Sequence, residues 1–89
     1  MDRYQDSRDA SLERKSELRF ELQKLIDEEQ ILQKRMIEIV EELRAAVSIE
    51  PPDVARLASL DQEYLRTYRA LNVINEKFTE LLRALDSTP

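Results

Sequence analysis

Apolar residues recur along the first half of the chain at Leu18, Leu22, Leu25, Leu32, Met36, Ile39, Leu43 and Ala46, in steps that alternate four and three. Glu29 occupies the one missing step. A seam of this period predicts an amphipathic helix that packs on another helix. The second half repeats the rule at Leu57, Leu60, Tyr64, Thr67, Leu71, Ile74, Phe78, Leu81 and Leu85. Ile26, Val40 and Val47 widen the first stripe, and Tyr68 and Leu82 widen the second.

The break between the two stripes is Ser48-Ile49-Glu50-Pro51-Pro52-Asp53. Proline disfavours helical geometry in the residue before it and is welcome in a first helical turn. The pattern therefore predicts a helix over residues 9–47, a turn over 48–52 and a helix over 52–86, with 1–8 and 87–89 frayed. A short connection makes the helices antiparallel. Facing residues then have numbers adding to about 100, which pairs Met36 with Tyr64, Leu32 with Tyr68, Leu22 with Phe78 and Leu18 with Leu82. The expected fold is all-α, an antiparallel two-helix coiled-coil hairpin. Its core is one seam deep, so self-association into a four-helix assembly is expected as well.

Composition narrows the chemistry. The chain has no Cys, His, Gly or Trp. That removes thiolate and imidazole catalysis, Cys- or His-ligated metals and Gly-rich phosphate loops. The net charge of −5 argues against direct binding to DNA or to anionic membranes. No apolar run reaches membrane-spanning length, and the opening residues lack the apolar stretch of a signal peptide, so a cytoplasmic, non-enzymatic protein is expected.

Two features are weighed for catalysis or metal binding. Glu29 lies among leucines, where it is weighed as a general acid or base; a register-fixing bond across the hairpin to Tyr68, Asn72 or Asn75 is the expected role. Acidic clusters at Asp27, Glu28 and Glu29 and at Glu38, Glu41 and Glu42 lack the spacing of a calcium loop and are expected to be solvated faces or a surface for a basic partner. Leu22 to Arg35 loosely resembles the first helix of chorismate mutases. The basic residues that their anionic substrate requires are missing downstream, as is a third helix, so that activity is rejected.

The outer side of the first helix is more informative. With Leu18 as zero on a wheel of about 100° per residue, Ser16, Arg19, Gln23 and Asp27 fall near 160°, 100°, 140° and 180°. Phe20 and Ile31 flank this polar row, and Ile37 lies near its other margin. An arginine fork binds phosphate or the guanine O6/N7 edge, and a carboxylate accepts from guanine N1–H and N2–H₂. Serine and glutamine each donate and accept. Such a row suits a guanine nucleotide, or else is ordinary solvated surface.

The spacing Ser16-x2-Arg19-x3-Gln23-x3-Asp27 resembles the motif of RsiG-type anti-sigma factors of actinobacteria, which are also helical hairpins. The family motif, Glu-x3-Ser-x2-Arg-x3-Gln-x3-Asp, agrees at four of its five positions; Leu12 stands where the motif has Glu. The resemblance implies that Ser16, Arg19, Gln23 and Asp27 bind cyclic di-GMP, as two stacked molecules, and that the loaded protein withholds a WhiG-type sigma factor from RNA polymerase. The second helix carries no acceptable copy; its nearest register gives Ser59, Gln62, Arg66 and Ala70. A homodimer is therefore expected, with the first helices of two hairpins facing each other across the nucleotide. The acidic residues Glu38, Glu41 and Glu42 are expected to meet the sigma factor's basic surface. The alternative is a structural coiled-coil adaptor or small secretion chaperone with no nucleotide.

Overall fold

The structure, a computed structural model, describes residues 3–89, with side chains from residue 10 onward. It contains two α-helices, α1 (Arg3–Val47) and α2 (Val54–Ser87), folded back on each other into a rod of 77 × 15 × 14 Å. The antiparallel hairpin expected from the apolar spacing is present. Its register is close to the expected one: Arg35 Nε donates to Glu63 Oε1 at 2.7 Å, and Ser11 Oγ donates to the Pro89 carbonyl at 2.6 Å.

The helix limits differ from the expected ones at three ends. α1 begins at Arg3 instead of residue 9, because residues 3–8 contain no Gly or Pro to interrupt it. For Met1 and Asp2 the fraying expectation lies outside the described residues. α2 begins at Val54, with both prolines outside it. Asp53 is its N-cap, and its carboxylate accepts from the Arg56 amide at 3.1 Å. The capping carboxylate satisfies a first-turn amide, which a proline there does not do. At the far end Ser87 is still helical, and Thr88 caps the helix, its hydroxyl donating to the Ala84 carbonyl at 2.7 Å and its amide to Leu85 at 3.3 Å. Ser48 closes α1 in a similar way, donating from both amide and hydroxyl to the Arg44 carbonyl at 3.2 and 2.8 Å.

Burial follows the seam. Leu18, Leu22, Leu25, Ile39 and Ala46 of α1 are buried against Leu60, Thr67 and Ile74 of α2. One buried cluster joins Ile39, Ala46 and Leu60, with Leu43, Leu57 and Tyr64 packed around it. Thr67 brings a hydroxyl into this seam and satisfies it by donating to the Glu63 carbonyl at 2.8 Å. Leu18 and Ala46, 28 residues apart in sequence, are 0% and 1% exposed. A straight helix with 3.6 residues per turn drifts about 20° per heptad against such a seam, or about 80° over that distance. Both ends stay buried because the helices follow a 3.5-residue repeat. The seam positions are accordingly heptad a (Leu22, Glu29, Met36, Leu43; Leu57, Tyr64, Leu71, Phe78, Leu85) and d (the rest).

The residues expected to widen the stripes remain outside the core. Val40, Val47, Tyr68 and Leu82 are all exposed, and Ile26 is half-buried. They occupy position e, which a single partner helix leaves uncovered. No described helix is long and apolar enough to cross a membrane.

Candidate functional site

The heptad frame gives the hairpin two edges of different character. On one edge the g positions of both helices meet. Arg35 and Glu63 pair there, and Arg35 Nη1 reaches Glu38 at 3.2 Å and Glu42 at 3.6 Å. Hydrogen bonding to Glu63 first, then to Glu38, with the nearby charges adding, holds the Arg35 guanidinium above its ordinary titration range. Farther from the turn, Glu21, Lys24, Glu28, Lys77 and Glu80 line a shallow groove on the same edge. Two of the glutamates read as an acidic partner surface, Glu38 and Glu42, are thus already engaged by Arg35, and Glu41 is exposed. Among the described residues, no three Asp or Glu side chains converge as a metal-holding group.

Glu29 does not bridge the hairpin. It is half-buried and accepts from Gln33 Nε2 of its own helix at 3.0 Å, while Tyr68, Asn72 and Asn75 are exposed. A partner one turn away on the same helix needs no second chain to reach it, so the local bond prevails.

The other edge carries the e positions. The polar row predicted from the sequence lies at its end away from the turn: Ser16 and Gln23 at b, Arg19 at e and Asp27 one step round at f. All four are exposed on one side of α1. From Ser16 to Asp27 the row spans about 16 Å along the helix. Gln23 Nε2 donates to Asp27 Oδ1 at 3.1 Å, which orients the Asp27 carboxylate. Among the described residues Arg19 forms no ion pair, so its guanidinium is available to an anion. Phe20, 73% exposed, sits one turn from Ser16 and from Gln23, and a shallow depression joins Ser16, Glu17, Phe20 and Glu21. A flat apolar ring between hydrogen-bonding groups is a platform on which a base can stack.

The arrangement offers one cation, one oriented carboxylate, two groups that both donate and accept, and an aromatic face. It supplies recognition groups; a nucleophile with an adjacent base is not among them. No protein-family model, curated protein or solved structure matches the chain.

Proposed function

We propose that the hairpin is a cyclic di-GMP-binding anti-sigma factor of the RsiG type, acting in the cytoplasm as a homodimer and catalysing no reaction. The observation that carries this reading is the grouping of Ser16, Arg19, Gln23 and Asp27 on one exposed side of α1, with Arg19 free of any ion pair among the described residues. In this reading Arg19 meets guanine or phosphate, Asp27 accepts from a guanine edge, and Ser16 and Gln23 hydrogen-bond phosphate or base. Phe20 adds a stacking surface beside them. One row addresses one side of the ligand, and the second copy's row addresses the other. The loaded dimer holds a WhiG-type sigma factor, with the acidic surface around Glu41 meeting a basic one.

Calorimetry with cyclic di-GMP tests this directly. Binding is expected for the wild-type chain and not for GMP. Arg19→Ala leaves ligand charge unpaired in a desolvated site, a loss of about 2–5 kcal/mol, or roughly 30- to several-thousand-fold in affinity. Helicity by circular dichroism stays unchanged, because Arg19 is exposed. Equal affinity of wild type and Arg19→Ala removes the site, and no binding by the wild type leaves the structural adaptor.

A further inference from the structure

The outer side of α2 has a charge opposite to that of the whole chain. Acidic residues outnumber basic ones 19 to 14, yet the segment from Tyr64 to Asn75 holds no carboxylate and two arginines, Arg66 and Arg69. Both are exposed, and among the described residues neither enters an ion pair. One turn apart on the same helix, they repel each other. Within one turn of Arg66 the sequence offers a single carboxylate, Glu63, and Arg35 of α1 already holds it at 2.7 Å. Within one turn of Arg69 there is none. The hairpin thus presents two mutually repelling guanidinium groups that it does not neutralise itself.

Arg69 occupies an f position, opposite the seam. Leu65 and Asn72 flank it at b, and Arg66 and Val73 flank it at c. Leu65 and Val73 are 44% and 49% exposed, and Tyr68, also exposed, extends the surface on the b side. From Leu65 to Val73 the surface runs about 12 Å along the helix. It is convex, the outside of a single helix, whereas small ligands occupy concave sites. Nucleic acid is held by many cations along its backbone; here there are two, on a chain of net charge −5. Apolar side chains beside the arginines add little to phosphate binding. They do add to contact with a protein, where Arg and Tyr often carry the binding energy.

We infer that this side of α2 is a docking surface for an acidic amphipathic helix of another protein. Residues one turn apart have Cβ atoms about 5–6 Å apart on any helix, so Arg66 and Arg69 match two carboxylates one turn apart on the incoming one. Each guanidinium can receive its carboxylate in a two-point fork. Leu65 and Val73, one turn before and after Arg69, receive apolar side chains that exclude water from the ion pairs. The surface lies on the other helix from Ser16, Arg19, Gln23 and Asp27. It needs no nucleotide, and it stays open when the first helices of two copies face each other. Its sign is opposite to that of the surface around Glu41, so it selects a different kind of partner segment.

A displayed library of randomised helical peptides, selected on the full chain and counter-selected on the double variant Arg66→Glu, Arg69→Glu, tests this. The survivors are expected to carry Asp or Glu pairs one turn apart beside Leu, Ile or Phe. By fluorescence anisotropy the double substitution is expected to weaken a survivor about 100-fold or more, and Leu65→Ser about 10-fold. Helicity by circular dichroism stays unchanged in both variants, because the three side chains are exposed. Arg69→Gln relieves the like-charge pair and is expected to melt no lower than the wild type. No survivors, survivors without paired carboxylates, or binding indifferent to Leu65→Ser overturn the proposal. A lower melt for Arg69→Gln also overturns it, because the arginine then has a partner inside the hairpin. Binding of a single-stranded oligonucleotide that the double variant loses, with no acidic peptide surviving, overturns it in favour of nucleic acid.

Discussion

Ile39 and Ile37 are two residues apart on α1, yet the structure gives them opposite surroundings. Ile39 is fully buried against Ala46, Leu60 and their neighbours, and Ile37 is 61% exposed. Ile39→Ala removes three carbons. At about 0.8 kcal/mol per buried methylene the lost transfer term is ~2.4 kcal/mol. If the hairpin does not collapse into the gap, ~80 Å³ of cavity adds about 2 kcal/mol at ~24 cal/mol per Å³. The expected loss is about 2.5–4.5 kcal/mol, against a total of roughly 4–13 kcal/mol for a domain of this length. At about 4–8 °C per kcal/mol, that lowers Tm by at least ~10 °C. Thermal melts followed by circular dichroism, repeated over a hundredfold range of concentration, provide the measurement. The range separates loss of the hairpin from loss of association, because only the second makes Tm depend on concentration. Ile37→Ala is expected to cost less than about 0.5 kcal/mol in the separated hairpin, because its side chain is already exposed. A loss under 1 kcal/mol for Ile39→Ala, or equal losses for both variants at low concentration, refutes the register and the burial pattern together.

Asp53→Ala removes the cap of α2 and is expected to cost about 1 kcal/mol, or 4–8 °C in Tm, while Asp53→Asn retains most of it, as melts of the two variants will show. The Arg35 tie has a defined pH signature. Its guanidinium titrates above the ordinary value in the folded chain, so the stability it adds is complete at every pH below the unfolded value and is lost only as pH climbs through the folded one. The melting difference between wild type and Arg35→Leu is therefore expected to stay constant from pH 6 to 9, and a step in that difference within this window refutes the assignment.

The a/d seam was legible because it repeats over the whole length of both helices and needs no knowledge of a partner. The start of α2 was less so, because Pro52 and Asp53 both signal a helix N-terminus. The carboxylate won by bonding an amide, and the prolines were left outside. Glu29 departs from expectation for a related reason: a residue on the seam faces the other helix, but its functional group also reaches Gln33 one turn along, at no cost in chain geometry.

The exposed apolar residues of the b and e positions read differently at 3.6 and at 3.5 residues per turn. On a wheel of about 100° per residue, Val40 and Val47 drift toward the seam and read as part of it, while Leu12 and Ile37 read as outward-facing. In the 3.5-residue frame that the burial of both Leu18 and Ala46 imposes, Leu12, Val40 and Val47 share one position and Ile37 is its neighbour. The same change of frame brings Val40, Val47 and Ile37 into line with Ser16, Arg19 and Gln23, which lie close to Leu18 in sequence and hardly move. A row that reads as a separate outer face is thus continuous with the exposed apolar residues Ile37, Val40 and Val47. Two requirements that the sequence raised independently, a second layer for a thin core and a second row for a two-sided ligand, fall on one edge of the hairpin.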